Sequence, residues 1–388
     1  MKKFLALLLA LVMSLSLVAC GGGDDTAADG GADAEDGGNA ETAAYQVAMI
    51  TDYGDITDQS FNQTTYEACQ EFCDAEGLQF EYYKPAGNST AERVAMVDAA
   101  VADGYNVIVM PGYAFAETIK ETAELYPDVT FIALDVAQGD LDPNGEGYTL
   151  PSNVYCAVYQ EELCGYMAGY AAVKLGYTHL GVLGGMAVPA VQRFGYGFVQ
   201  GADAAAVELG IADQVVIEYA YGNQFFGDAD ITAYMDNWYQ TLGVEVVFAS
   251  GGGIYTSAAE AAAKVGGKLI GVDVDQSANI DTYGEGMCVT SAMKGLAETV
   301  QHMLSEVVAG NFANYGGKIE TLGLVSGDDP TANYVQLPME TTQWGDGFTQ
   351  DDYKALVKAM YDGDVTVSND ISAMPATTIT VNFAGNIK

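Results

Sequence analysis

The sequence predicts an α/β fold built on parallel sheets, and two observations carry that prediction. Short apolar runs with polar flanks alternate with stretches of helical spacing, and several of those runs close on an aspartate. Continuously apolar strands separated by helices belong in sheets that are covered on both faces. In such sheets ligands bind beyond the carboxyl ends of the strands, so acidic residues repeated there mark a cleft. About 344 residues follow from Tyr45 onward, enough for two domains with cores of their own.

The chain begins with a segment that does not belong to this fold. Lys2-Lys3 and the apolar run from Phe4 to Ala19 read as a signal segment over residues 1–19. Leu17-Val18-Ala19-Cys20, followed by Gly21-Gly22-Gly23, resembles a bacterial lipobox in which Cys20 is lipidated. A plain signal peptide or a signal anchor is the alternative, but the run of 16 residues is shorter than the roughly 20 that a spanning helix needs. Residues 20–44 then form an acidic tether, with seven carboxylates between Asp24 and Glu41 and no aromatic to order it.

Apolar runs at Gln46–Thr51, Gln79–Tyr83, Asn106–Met110 and Thr130–Asp135 are expected strands. So are His179–Gly184, Val215–Tyr219, Val244–Ala249, Lys268–Asp273 and Met287–Ser291. Between them, Val94, Val97 and Val101 fall on one face of a helix over 90–103, with Ser89-Thr90 as caps. Further helices are expected over 115–126, stopped by Pro127, over 161–175, and over 191–209. Ser60 is the expected N-cap of the helix after the first strand.

Charge excludes some classes of partner. With 53 acidic residues against 14 Lys plus Arg, the net charge of −39 leaves no basic face for nucleic acid or anionic lipid. The acidic loop Asp52-Tyr53-Gly54-Asp55 has neither a Gly-x-Gly-x-x-Gly nor a Gly-Lys-Ser/Thr, so a phosphate is disfavoured there. The thiols read as structural and no metal is expected: Cys69 and Cys73 lie four apart on a helix, and no His stands at zinc spacing. Asp52, Asp135 and Asp273 each close an apolar run, and Gly251-Gly252-Gly253 closes another. Carboxylates at the same end of several strands converge on one cleft.

The residues that specify more than a fold class are Asp52-Tyr53-Gly54-Asp55…Asp58-Gln59-Ser60-Phe61-Asn62-Gln63 and Gly184-Gly185-Met186…Gln192-Arg193-Phe194-Gly195…Gly197-Phe198…Gly201. With them go Gly251-Gly252-Gly253, Ile270-Gly271-Val272-Asp273-Val274-Asp275-Gln276 and Thr290-Ser291-Ala292-Met293-Lys294. In that order and spacing they resemble the basic membrane protein family of substrate-binding lipoproteins, whose best-known members are purine nucleoside receptors of ABC importers.

The resemblance implies a type I periplasmic-binding-protein fold, two Rossmann-like lobes joined by crossover hinge strands. The first lobe is expected over 45–153 plus about 288–318, and the second over 154–287 plus about 319–388. It further implies a non-enzymatic, cofactor-free, monomeric receptor that passes a nucleoside, a purine one by preference, to a permease and its ATPase. By motif, Phe61 and either Phe225 or Phe226 resemble the aromatics that stack on the base. Asp52 and Asp135 resemble the carboxylates on the base edge, and Asn62, next to Phe61, is expected to contribute. Asp273 and Lys294 resemble the ribose pair, one residue expected from each side of the hinge, and Gly252 lets the backbone approach.

Two other readings share parts of this pattern: a sugar-binding type I protein, and a surface adhesin or antigen with an incidental cleft. An enzyme such as a nucleoside hydrolase fits less well. His179 and His302 are the only histidines, neither stands beside a carboxylate motif, and no Gly-x-Ser-x-Gly occurs. If Cys20 carries the anchor, Cys20→Ser releases the protein into the soluble fraction with ligand binding intact. A variant that stays uncleaved and membrane-bound, seen by fractionation, would instead mark a signal anchor.

Overall fold

The computed structural model describes residues 45–387. The signal segment, Cys20 and the acidic tether lie outside the described residues. The strands are β1 (Gln46–Ile50), β2 (Gln79–Tyr83), β3 (Val107–Pro111), β4 (Thr130–Leu134), β5 (Val154–Tyr159), β6 (His179–Gly184) and β7 (Val216–Tyr221). They continue as β8 (Val246–Ser250), β9 (Lys268–Asp273), β10 (Cys288–Lys294), β11 (Lys318–Leu322), β12 (Val335–Gln336) and β13 (Thr380–Asn386). The helices are α1 (Phe61–Glu76), α2 (Thr90–Ala102), α3 (Ala116–Thr122), α4 (Gln138–Leu141), α5 (Glu161–Lys174) and α6 (Pro189–Leu209). After them come α7 (Ala229–Asp236), α8 (Tyr255–Ala263), α9 (Ser277–Ile280), α10 (Leu296–Val308) and α11 (Gln350–Tyr361).

Two sheets result. The first runs β11-β5-β4-β3-β1-β2, parallel throughout. The second runs β12-β10-β9-β8-β6-β7-β13, parallel except where the short β12 lies antiparallel to β10. Their central strands are buried along their whole length, as Val-Ile-Val-Met-Pro in β3 and Val-Val-Phe-Ala-Ser in β8 show. Helices on both faces make that burial possible. α2 starts as its sequence reads, with a capping box between Ser89 and Glu92.

The crossovers correct the expected lobe boundaries. Residues 154–159 were expected to open the second lobe, with no strand expected there, but they form β5, which pairs with β4 in the first sheet. β10 was expected to return to the first lobe but pairs with β9 in the second sheet. The chain therefore crosses just after β5, just after β10, and between β11 and β12, each handover falling later than the sequence reading placed it. The reason is local. Val154-Tyr-Cys-Ala-Val-Tyr159 runs into α5 with only Gln160 between them, so no turn residue separates strand from helix. β11 and β13 were also missed, because as half-exposed edge strands they lack a continuous apolar run.

The first helix pair of the second lobe is packed unusually close. A Cβ at Gly165 would overlap the Phe194 carbonyl oxygen, one at Gly169 the Phe198 carbonyl, one at Gly197 the Glu162 carbonyl, and one at Gly201 the Tyr166 carbonyl. The glycines thus let α5 and α6 meet backbone to backbone. Adding a methyl forces those backbones apart, and overpacking of this kind costs roughly 1–3 kcal/mol. Gly169→Ala is expected to lose stability in that range by urea unfolding. A variant as stable as the parent would refute this close contact.

Candidate ligand-binding site

The carboxyl ends of both sheets face a single cavity of about 580 Å³, within the range usual for small-molecule sites. All nine binding residues named from the sequence line it: Asp52, Phe61, Asn62, Asp135, Phe225, Phe226, Gly252, Asp273 and Lys294. Asp52 follows β1 and Asp135 follows β4, while Asp273 ends β9 and Lys294 ends β10.

Two of these strand ends are strained. Asp135 and Asp273 hold left-handed backbone, φ 60° and 66°, although neither is glycine. Such conformations cost of order 1–3 kcal/mol and persist where the surroundings over-determine them, as ligand sites do. Asp52 is held differently: its Oδ1 accepts from the backbone N–H groups of Tyr53 (2.6 Å) and Gly54 (2.9 Å). Burial pushes its carboxyl above the ordinary range, against those two N–H groups. Gly112 leaves room for it, since a Cβ there would come within 2.8 Å of Asp52 Oδ2.

Ser60 does not cap α1. Asp58 does, its Oδ1 accepting from Ser60 N and Gln63 N and its Oδ2 from Asn62 N, each at 3.0 Å. The same Oδ2 accepts from Asn62 Nδ2 at 3.0 Å, which fixes the amide and leaves Asn62 Oδ1 as an acceptor. Asn62 Oδ1, Asp135 Oδ1 and Ser250 Oγ, all on cavity-lining residues, are buried without a hydrogen-bond partner. A buried polar atom left unmet costs about 1–3 kcal/mol, so this grouping suits a ligand rich in donors.

The cationic centre differs from the expected ribose pair. Asp273 and Lys294 do not come from opposite sides of the hinge, because Asp273 and Met293 are register partners in one sheet. The bridge between lobes is Lys294 Nζ to Asp135 Oδ2, at 2.7 Å, while Asp273 Oδ1 stands at 3.6 Å. A third carboxylate, which the sequence reading missed, completes the group: Glu161 Oε1 lies 3.4 Å from Lys294 Nζ, and its Oε2 accepts from Arg193 Nε at 2.6 Å. Glu161 is fully buried at the first residue of α5. Only its position directly behind an apolar run could have marked it.

Three carboxylates here surround two cations. Burial opposes charge on Lys294, but Asp135, Asp273 and Glu161 outweigh it and raise its pKa. Burial also raises Asp135, to about 6, with Glu161 and Asp273 adding to the effect and Lys294 opposing it.

Among the aromatics, Phe61 carries the Lys294 ammonium 4.7 Å from its ring centroid. Phe225 is half-buried, closely overlaid by Gly185 and Gly251, and lies 6.3 Å from the Tyr53 ring. Phe226 is 62% exposed and sits at the rim. Gly252, at φ 54°, lets its backbone lie against the Phe225 carbonyl, where a Cβ would come to 3.0 Å. Six aspartates line the cavity against Lys84, Arg193 and Lys294, an arrangement that disfavours an anionic ligand.

Two parallel α/β lobes joined by three crossovers, with a cleft between the carboxyl ends of their sheets, define a type I periplasmic-binding-protein fold. A solved solute-binding protein of an ABC transporter system from Conexibacter woesei superposes with a TM-score of 0.63, at 23% identity over 84% of this chain and 99% of that one. The chain belongs to the Bmp family, described as ABC transporter substrate-binding protein PnrA-like, whose model matches residues 45–328. It is therefore a non-enzymatic solute-binding component of an ABC transporter.

Relatives include a CD4+ T-cell-stimulating antigen of Listeria innocua, 27% identical over 82% of this chain and 87% of its own. Another is the ABC transporter nucleoside-binding protein BmpA of Lactococcus lactis, 26% identical over 73% of this chain and 80% of its own.

The raised Asp135 carboxyl has a signed consequence for stability. Between its ordinary 3.8 and about 6 the folded chain holds more protons than the unfolded one. The contribution of this group is complete below that window and is lost as pH rises through about 6. The unfolding free energy of the parent minus that of Asp135→Asn is expected to fall from pH 4 to 7 in urea titrations. A flat or rising difference would mean that Asp135 stays ionised throughout.

Proposed function

We propose that this protein clamps a nucleoside, a purine nucleoside by preference, between its lobes and delivers it to the permease and ATPase of an ABC importer. The observation that carries this reading is the combination of aromatic faces at Phe61 and Phe225 with unmet acceptors at Asn62 and Asp135. A nucleoside offers a π face, N–H and O–H donors and no charge, which suits such a cavity better than a nucleotide does. The Lactococcus relative named as nucleoside-binding supports the same class of ligand.

In this reading Phe61 and Phe225 stack on the base and Phe226 stays at the rim. Asp52, Asn62 and Asp135 accept from the base edge. Asp273 and Lys294 hold the ribose hydroxyls, with Asp135 close enough to the ammonium to couple the two ends of the ligand. Gly252 allows close approach of the backbone. Cys20 anchors the chain to the outer face of the cell membrane, so ligand capture occurs outside the cytoplasm.

Base stacking is worth roughly 1–3 kcal/mol per aromatic. Phe61→Ala is expected to weaken nucleoside binding by about fivefold to 150-fold in calorimetry. Free ribose should not compete in the parent. Unchanged nucleoside affinity in a folded Phe61→Ala protein would remove the stacking model, and competition by ribose alone would favour a sugar receptor.

A further inference from the structure

The loop between β1 and α1 has a role beyond carrying Phe61 and Asn62. Its Gln59-Ser60 dipeptide does not line the cavity, yet it makes three side-chain hydrogen bonds with the second lobe. Tyr255 OH donates to Gln59 Oε1 at 2.6 Å, and Gln276 Nε2 donates to the Gln59 carbonyl at 3.0 Å. Ser60 Oγ donates to Asp273 Oδ2 at 2.6 Å. Gln59 itself holds left-handed backbone, φ 54°, another non-glycine residue kept in a disfavoured conformation at the cleft.

Both partners of Gln59 are prepared in advance. Gln276 is fully buried, and its Oε1 accepts from Val272 N at 2.9 Å, so only its NH2 group can turn to Gln59. Gly271 makes room for that amide, since a Cβ there would come within 2.9 Å of Gln276 Oε1 and 2.6 Å of Ser291 Oγ. Tyr255 is buried at the start of α8. On the first-lobe side, Gln59 N donates to Gln63 Oε1 at 3.0 Å and steadies the loop.

We propose that Gln59, Tyr255 and Gln276 form a clasp across the cleft that sets how tightly the ligand is held without touching it. Their bonds join segments that follow strands of different sheets, so they exist only while the lobes are together. A contact made in one of two states shifts the equilibrium between them by its own free energy, and the lifetime of a bound ligand follows. The proposal needs only two lobes hinged at their crossovers and holds whatever the ligand is.

Tyr255→Phe removes one hydroxyl and keeps the ring packing. The full chain is measured by small-angle scattering without ligand, and by stopped-flow release of inosine. A net hydrogen bond of ordinary strength predicts release faster by roughly two- to tenfold, with association changed much less, and a larger ligand-free radius of gyration. The same hydroxyl deletion in a Gln59→Ala background should add nothing, because its partner atom is already gone. A Tyr255→Phe protein with unchanged scattering and unchanged release overturns the clasp, as does an effect that persists in full with Gln59→Ala. Failure of inosine to bind the parent counts against the nucleoside reading, and scattering alone then decides the clasp.

Discussion

A buried ammonium governs the geometry of this protein. Lys294 is almost wholly removed from water, and an ion so placed is tolerated only with charged, hydrogen-bonding partners in good position. Those partners come from the end of β4, the start of α5 and the end of β9. One belongs to the first sheet, one follows a crossover and one belongs to the second sheet. The ends of both sheets must therefore meet at one point for Lys294 to be satisfied. The balance is deliberately incomplete in one respect: three carboxylates against Lys294 and Arg193 leave a surplus negative charge. A neutral ligand with O–H and N–H donors can hydrogen-bond to those carboxylates, whereas an anion would add to the surplus.

Arg193 reaches Glu161 because α5 and α6 touch through glycine. Gly197 sits where its Cβ would meet the Glu162 carbonyl, so the start of α5 and the middle of α6 are fixed at backbone distance. Four residues earlier on the same helix, Arg193 is then delivered to the Glu161 carboxylate. Phe194 follows it, in the cavity wall and 5.5 Å from the Lys294 ammonium by its ring centroid. A packing rule between two helices thus becomes an electrostatic rule in the site.

The acidic strand ends of the cavity were legible because they stand at chain positions with a strong signal. Asp52, Asp135 and Asp273 each break an apolar run and Gly251-Gly252-Gly253 closes another, whereas Phe61, Asn62, Phe225, Phe226 and Lys294 were marked only by the family resemblance. Glu161 did not stand out. One buried glutamate among 53 acidic residues has no mark beyond following an apolar run, and its burial follows from a crossover that no turn residue announces. The pairing of Asp273 with Lys294 across the hinge failed for a related reason. An apolar run shows that β10 is a strand but not which sheet accepts it, and the crossover comes after the strand, at Gly295. Gln59 and Gln276 were quoted in motifs and given no role, since neutral amides reveal themselves only through partners far away in sequence.

Asp58 ties these levels together. Its carboxylate takes three backbone N–H groups at the start of α1, where a negative charge also favours the helix dipole. In doing so it sets the first turn that presents Phe61 to the cavity, orients the Asn62 amide, and places Gln59-Ser60 against the second lobe. Burial raises its pKa while these N–H donors oppose the shift, so its charge is held by the backbone it organises. The positions of the Phe61 ring and the Asn62 amide and the Gln59 contacts therefore share one support. Changes at these positions will couple, because residues in one hydrogen-bonded network do not contribute additively. The geometry of this segment is set as a unit, and Asp58 is the residue through which that unit is assembled.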